Sequence, residues 1–464
     1  MPQRSEKKPN LLFVFADQLR AGSVGYTGEE AVKTPNIDRF ASEGTVYSNA
    51  VSPLPVCGPY RAALLTGRTP TSTGLTINDV ALKTNEVSIG HCFKASGYDT
   101  AYIGKWHLDG PDRTAPVPPG PRRQGFEYWM GANFEHNYNR SYFTDDDGNL
   151  KIWQGWDADA QTTHTIDYLK TRDTENPFCL VLSWGPPHHP YRLVPQNYLD
   201  MYDPDAIEGR PNCPEVPRED LHGYYAQTTL LDDQFQRLLD ALDEMGIRDD
   251  TIVVFTSDHG DMHGSHGLYK KQWPWSEASK VPFAIQYSAS VPQGKTIDTP
   301  ISAIDVMPTL LGLAGLPVPD RVEGVDLSPY LTGAEADAPE SVLIMNPTPF
   351  SIGDPRGEDQ YPDFKGMRFE YRGVITDRYT YVRTIDQPYM LYDNQADPYQ
   401  LKNLIEEPGL ADERARLDAL MLAHMAKIGD DFSPRDFYYE KFGIEFDHRG
   451  KVVDLVENIY NRAG

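Results

Sequence analysis

The chain has 464 residues, 39% of them hydrophobic and 24% charged, which is typical of a globular protein with a large buried core. Its formal net charge of −25 argues against a nucleic-acid partner and against a polybasic membrane-binding surface. The sequence has 4 scattered cysteines, too few for a disulfide framework or a zinc cluster, and it predicts no transmembrane span.

The start of the chain leaves the cellular compartment open. Its first apolar run, Leu11 to Ala16, is too short for the hydrophobic region of a signal peptide. We therefore keep two expectations: a cytoplasmic protein, or a periplasmic or secreted one whose leader was removed.

Long apolar runs alternate with helical patterns through most of the chain. Residues 10–16, 178–184 and 251–257 predict strands buried on both faces. Residues 219–245 predict a helix that ends at Gly246. This alternation predicts an α/β fold with a large, mixed but mostly parallel sheet sandwiched by helices.

Changes in composition and in the pattern of apolar residues along the sequence indicate two domains. A proline-rich linker over 111–121 precedes an aromatic and polar stretch, 122–160, which we interpret as an insertion over the site. Residues 1–345 are predicted to form an N-terminal catalytic domain. Short strand-like runs and an amphipathic helix predict a smaller C-terminal subdomain over 346–464, built on an antiparallel sheet.

Two acidic pairs follow predicted central strands. Asp17-Gln18 comes directly after the first strand, and Asp258-His259 comes after the strand at 251–257. Ligands of open α/β sheets gather outside the carboxyl ends of strands, so these side chains can meet. Two carboxylates and an amide oxygen suit Ca²⁺ or Mg²⁺, while the histidine keeps Mn²⁺ or Zn²⁺ as alternatives. Helix capping is the competing role for each aspartate.

The segment CGPYRAALLTGR, from Cys57 to Arg68, predicts a thiol at the start of a helix. Pro59 presets the backbone angle of the first turn and lacks an amide donor that would go unused there. Arg61, one turn further on, and the helix N-terminus make residue 57 suited to an anion. The pattern indicates a reactive group aimed at an oxyanion, or else a buried structural cysteine.

This segment resembles the sulfatase signature C-x-P-x-R-x-x-x-L-T-G-R at every specified position. A second segment, GYDTAYIGKWH over 97–107, resembles the family's G-Y-x-T-x-x-x-G-K-x-H. The chain is therefore identified as a member of the formylglycine-dependent sulfatases of the alkaline phosphatase superfamily. The resemblance implies the fold of that superfamily, with a small antiparallel sheet near the C-terminus.

The resemblance also implies a modified nucleophile and a metal ion. In sulfatases a maturation enzyme oxidises the cysteine to Cα-formylglycine, whose gem-diol attacks sulfur and forms a covalent sulfo-enzyme. One divalent ion is implied, usually calcium with magnesium or manganese as alternatives, held by Asp17, Gln18, Asp258, His259 and residue 57. Many members have aspartate in place of Gln18 and asparagine in place of His259.

Further catalytic roles follow from the same resemblance. Arg61, Lys105 and Lys271 are expected to neutralise sulfate oxygens. His188, in the family's P-H-x-P, would donate a proton to the leaving alcohol, and His107 would take one from the second hydroxyl. The neighbours His189 and Lys270 are the alternatives to His188 and Lys271.

The predicted substrate is a sulfate ester on a small molecule or an oligosaccharide, with a carbohydrate favoured. Alternatives are a phosphonate monoester or phosphodiester hydrolase, a choline sulfatase, and a catalytically silent protein that binds sulfated glycans. Candidate substrate contacts, each of which could instead be an ordinary surface residue, are Asn78, Arg122, Arg123, His136, Asn137 and Arg140.

Overall fold

A computed structural model of the protein describes residues 8–334, 336, 338–349, 370–447 and 452–453. The main sheet of the described residues has ten strands. They are β1 (Asn10–Asp17), β2 (Thr45–Tyr47), β4 (Asp99–Lys105), β5 (Tyr128–Ala132), β6 (Tyr142–Thr144), β7 (Leu150–Ile152), β8 (Phe178–Pro187), β9 (Thr251–Ser257), β11 (Phe283–Gln286) and β12 (Lys295–Ile297). Their order is β12-β2-β11-β9-β1-β8-β4-β5-β6-β7.

The centre of this sheet is parallel and its edges are mixed. Strand β1 pairs in parallel with β8 and with β9, so Leu12 lies between Leu180 and Val253. Strands β4 and β5 continue the parallel order, whereas β11, β6 and β7 run antiparallel to a neighbour. The predicted mixed, mostly parallel sheet is confirmed. β1 and β8 extend past their predicted ends, through Asp17 and Pro187.

Helices cover both faces of the sheet. They are α1 (Pro35–Ser42), α2 (Cys57–Thr66), α3 (Pro70–Thr73), α4 (Ile89–Ala95), α5 (Asp157–Thr171), α6 (Gln196–Leu199), α7 (Arg218–Glu244), α8 (Ser276–Ser279), α9 (Ala303–Leu313), α10 (Ser328–Leu331), α11 (Ala411–Ile428) and α12 (Arg435–Phe442). Alternate residues of β1 belong to two separate apolar clusters, one with α2, α4 and α9 and the other with α1, α5 and α7. Because both faces of β1 are buried, its sequence is a continuous apolar run.

Two smaller sheets complete the described fold. The three strands β3 (Ala50–Val51), β10 (Lys280–Val281) and β13 (Ile301–Ser302) form one of them. The other is antiparallel, in the order β14 (Ser341–Asn346), β15 (Tyr371–Thr376), β16 (Tyr379–Thr384) and β17 (Pro388–Asp393). The predicted antiparallel sheet near the C-terminus is confirmed, and its first strand begins at Ser341, before the predicted boundary. Residues 350–369, 448–451 and 454–464 of the predicted subdomain lie outside the described residues.

The C-terminal sheet supports the approach to α2. Leu54 and Val56, just before that helix, pack in one apolar cluster with Leu343 of β14 and Met421 of α11. Met345 N–H also donates to the carbonyl of Pro53 over 2.7 Å. The smaller sheet therefore fixes the loop that leads to Cys57.

The segment predicted as an insertion, 122–160, extends the main sheet at one edge. It contributes β5, β6 and β7 and the start of α5. Within the described part of the chain, no helix is both long and apolar enough to cross a membrane.

Candidate active site

Cys57 is the first residue of α2 and is buried at the centre of a polar cluster. Its Sγ lies 3.2 Å from His259 Nε2, 3.3 Å from Lys271 Nζ and 3.7 Å from Asp17 Oδ1. Burial and the charge of Asp17 raise the pKa of this thiol, but Lys105, Lys271 and His259 outweigh them and hold it well below its ordinary value. An anionic group at this position is therefore stabilised.

Two buried carboxylates face Cys57 from neighbouring strand ends. Asp17 ends β1, and Asp258 follows β9, which pairs with β1. Arg61 Nη2 lies 3.3 Å from Asp17 Oδ2 and 3.0 Å from Asp258 Oδ2. The ammonium of Lys105 also contacts Asp17 Oδ2. Burial raises the pKa of Asp17, but Lys105 and Arg61 hold it well below its usual range.

The guanidinium of Arg61 makes its hydrogen bonds entirely within the protein. Nε and Nη2 donate to the carboxylates, and Nη1 donates to the carbonyl of Lys105 over 2.6 Å and to Ser183 Oγ over 2.7 Å. All five N–H groups thus have acceptors. This arrangement favours holding the two acids in place over the expected direct contact with sulfate oxygens.

The donor atoms around Cys57 suit a divalent cation. One ligand atom each from Asp17, Cys57, Asp258 and His259 lies within 4.8 Å of the other three, and all four residues are buried. Burial and the neighbouring charge of Asp17 raise the pKa of Asp258, as expected for two acids that share a site. A cation between the carboxylates would relieve that repulsion, so the residues fit the metal ion that the family implies.

Gln18 contributes an amide to the same cluster. Its backbone has a φ of 68°, and its N–H donates to Asp258 Oδ1 over 2.9 Å. Its side-chain Oε1 accepts from Lys271 Nζ at 2.8 Å. The amide oxygen therefore faces Lys271, whose ammonium group also contacts Cys57 Sγ.

Lys271 connects Cys57 to a buried histidine. Its Nζ lies 2.7 Å from His188 Nε2, and His188 Nδ1 lies 2.9 Å from the carbonyl of His189. Because a carbonyl only accepts, Nδ1 carries the proton and Nε2 offers its lone pair to Lys271. Burial, His136 and Lys271 hold the pKa of His188 well below its ordinary value, so the imidazole is neutral here.

His107 lies near the start of α2. Its backbone carbonyl lies beside Gly58, and its φ is 52°. His107 Nε2 lies 3.5 Å from Asp79 Oδ1. The ring of Phe134 lies 5.2 Å from that imidazole and 5.1 Å from Lys105 Nζ, measured to the ring centroid.

Two of the predicted substrate contacts adjoin the cluster. His136 packs on His188 with ring centroids 3.9 Å apart. Asn78 Oδ1 accepts the N–H of Gly58 over 2.8 Å, so it caps the start of α2 beside Cys57. The latter contact favours a positioning role for Asn78.

The four other candidates lie in different settings. Arg122 pairs with Asp109. Arg123 is buried and donates to the carbonyls of Val117, Asp145 and Asp146, which favours a structural role over substrate contact. Asn137 and Arg140 are exposed, and their backbones bond to each other.

Several residues of the cluster were not anticipated from the sequence. Asp261 and Tyr191 bond to Gln18, Ser183 bonds to Arg61, and Phe134 packs beside His107. Asp261 alone carried a signal, since it follows the Asp258-His259 pair closely. Positive φ at non-glycine residues, which is uncommon and concentrates at functional sites, also marks this region, at Gln18, Asp79, His107, His263, His266, Lys270 and Gln272.

Comparison with known proteins identifies the family of the chain. The family model Sulfatase matches residues 9–316. The ulvan-active sulfatase of Formosa agariphila is 40% identical over 453 residues, which cover 96% of this chain and 86% of that protein. The endo-4-O-sulfatase of Bacteroides thetaiotaomicron is 31% identical over 456 residues, covering 85% of this chain and 88% of that protein.

A solved structure extends the likeness to the whole fold. It was described in work on the metabolism of multiple glycosaminoglycans by Bacteroides thetaiotaomicron, and it superposes with a TM-score of 0.83 at 30% identity. The match covers 94% of this chain and 99% of that one. The chain therefore belongs to the sulfatase family of the alkaline phosphatase superfamily and is a sulfuric ester hydrolase.

Proposed function

We propose that this sulfatase removes sulfate from a carbohydrate, with Cys57 matured to Cα-formylglycine by a formylglycine-generating enzyme. The observation that carries the proposal is the position of Cys57 Sγ, within 4 Å of two lysine ammonium groups and beside the buried acids. The carbohydrate substrate is supported by the relatives named as an ulvan-active sulfatase and an endo-4-O-sulfatase. The hydrated aldehyde would attack sulfur, release the alcohol and leave a covalent sulfo-enzyme.

The cation side of the site would be formed by five residues. Asp17, Asp258, His259 and the matured residue 57, together with the amide oxygen of Gln18, would hold one divalent ion, and the predominance of oxygen ligands favours Ca²⁺. When bound, such an ion supplies electrostatic stabilisation to a sulfate oxygen and lowers the pKa of a nearby hydroxyl. Arg61 would keep both carboxylates oriented, since its five donors are already engaged.

Two lysines would receive the sulfate group. Lys105 Nζ lies 3.8 Å and Lys271 Nζ 3.3 Å from Cys57 Sγ, so a sulfate bound at residue 57 would meet both ammonium groups. Their fixed positive charge stabilises oxygens whose charge changes as the S–O bond breaks.

Two histidines would move the protons. His188 would give a proton to the leaving alcohol, and the negative charge of bound sulfate would raise its depressed pKa far enough for it to hold one. His107, near Asp79, would take the proton from the second hydroxyl of residue 57. Loss of that proton breaks the C–O bond to sulfate and restores the aldehyde.

Turnover by Cys57 variants tests this proposal. We expect the matured protein to release sulfate from at least one member of a panel of sulfated oligosaccharides, and Cys57→Ser to release none above background. Cys92→Ser, which changes a thiol outside the cluster, is the matched control and should keep full activity. Wild-type turnover by Cys57→Ser would refute the proposed nucleophile.

A substrate comparison separates the alternative activities. Aryl sulfate, phenyl phosphonate and choline sulfate would be offered to the same matured protein. Faster hydrolysis of phenyl phosphonate or of choline sulfate than of any sulfated saccharide would contradict a carbohydrate sulfatase. Binding of sulfated saccharides without any release of sulfate would identify a catalytically silent member.

A further inference from the structure

Asp261 is a buried carboxylate that sits behind the cation side of the site. Its Oδ2 accepts from Gln18 Nε2 over 2.5 Å and from Tyr191 OH over 2.6 Å. Its Oδ1 accepts the backbone N–H groups of His263 and Lys270, each over 3.0 Å. Asp261 does not contact Cys57 in these bonds, so it can act on the reaction only through its partners.

The chemistry of this carboxylate decides which end of the Gln18 amide faces the site. A carboxylate accepts and cannot donate, so Gln18 must turn its NH₂ group toward Asp261. The amide oxygen is then forced to the opposite side, where Lys271 Nζ lies 2.8 Å away. An amide has one end that can bind a cation and one that cannot, whereas either oxygen of a carboxylate would serve.

The same carboxylate also fixes the turn that carries Lys271. Lys270, the preceding residue, has a φ of 59°, which is strained for a side chain other than glycine. Its N–H is held by Asp261 Oδ1. One buried group therefore secures both Gln18 and the backbone next to Lys271.

We infer that Asp261 is a positioning residue that locks the amide oxygen of Gln18 toward the cation and holds the Lys271 turn. The inference rests on the proposed role of Gln18 as a metal ligand. It explains how a neutral amide can serve at a ligand position: the buried negative charge lies one hydrogen bond behind the amide and sets its direction.

Reversing the polarity of the Gln18–Asp261 hydrogen bond tests this inference. In Asp261→Asn, the new NH₂ group would draw the oxygen of Gln18 toward itself and away from the cation. We expect apparent Ca²⁺ affinity, measured by calorimetric titration of the full chain, to fall about 10- to 100-fold, as is usual when an outer partner of a metal ligand is removed. Asp159→Asn, at a surface ion pair with Arg237, is the matched control, with affinity within about threefold of wild type.

The double variant Gln18→Glu with Asp261→Asn restores the bond with donor and acceptor exchanged. The new NH₂ group at position 261 would donate to one oxygen of the new carboxylate at position 18, and the other oxygen would face the cation. We therefore expect Ca²⁺ affinity to return to at least the wild-type value. If Asp261 had only a structural role, the double variant would bind Ca²⁺ no more tightly than Asp261→Asn does. That result, or unchanged affinity in Asp261→Asn, would overturn the inference.

Thermal melts show whether each variant is folded, so loss of Ca²⁺ binding can be separated from loss of the fold. If Asp261→Asn does not fold but the double variant folds and binds Ca²⁺, the recovery supports the inference. If neither folds, Asp261 is a structural residue and the inference is wrong. Ca²⁺ binding does not depend on turnover, so this outcome is distinct from failure of the proposed function, which would appear as activity in Cys57→Ser.

Discussion

The candidate site has two parts, which we call the sheet side and the loop side. They differ in the interactions that hold their residues in place. Adjacent parallel strands β9, β1, β8 and β4 each end at the cluster, and they bring Asp258, Asp17, His188 and Lys105 to it. On the loop side, His136 lies between β5 and β6, near the edge of the sheet, and its ring packs against that of His188. Backbone pairing therefore fixes the first set, while side-chain packing fixes the second.

Arg61→Met should give the largest effect, because it breaks the sheet side. It removes the partner of two buried carboxylates, and we expect a loss of about 3–5 kcal/mol in unfolding free energy together with loss of turnover. Urea unfolding and sulfate release measure these effects. Arg378→Met, at a half-exposed pair with Asp393, is the control and should leave both nearly unchanged. An equal loss in both variants would contradict the claim that the buried carboxylates depend on Arg61.

Lys271→Met should lower kcat by about 10²–10³-fold, since its ammonium contacts the position of Cys57 and would meet the sulfate. Lys270→Met is the matched control, because its backbone bond to Asp261 survives the change and it leaves Lys271 Nζ in place. Steady-state kinetics on one sulfated saccharide separates the two. If Lys270→Met is the more damaging variant, the assignment between the neighbouring lysines is reversed.

His136→Ala tests the loop side. We expect KM to rise about tenfold with a smaller change in kcat, because the packed ring adds binding surface beside His188 and carries no proton in the proposed mechanism. His164→Ala, a partly buried histidine of α5, should leave both constants unchanged. A fall in kcat without a change in KM would instead assign His136 a role in the chemical step.

Arg123→Met should have the smallest effect on turnover of the four variants. Its guanidinium is bonded to backbone carbonyls, so the loss is expected in stability, about 1–3 kcal/mol, with KM unchanged. Denaturant unfolding and KM are measured on the same preparation. A raised KM with an unchanged unfolding free energy would indicate that Arg123 contacts the substrate.

The sequence predicted the sheet side well because its signals are local. Continuous apolar runs marked β1, β8 and β9, and helical periodicity predicted a helix over 219–245, where α7 spans 218–244. An acid at the end of a central strand must lie at the carboxyl edge of the sheet, whatever the rest of the chain does. The gathering of Asp17 and Asp258 could therefore be anticipated.

The loop side could not be predicted to the same depth. The 122–160 segment has little periodicity, and nothing local distinguishes the buried Arg123 from the exposed Arg140. Asp261 and Phe134 acquire their partners only when distant segments meet, through hydrogen-bond polarity and ring packing. Such features depend on tertiary structure, which residue spacing does not encode.

Mass spectrometry of the peptide that contains residue 57, from protein co-expressed with a formylglycine-generating enzyme, tests the proposed nucleophile most directly. We predict a peptide about 18 Da lighter than the cysteine form, the difference for conversion of CH₂–SH to CHO, in preparations that release sulfate. Full sulfate release by protein whose residue 57 is entirely unmodified cysteine would contradict it.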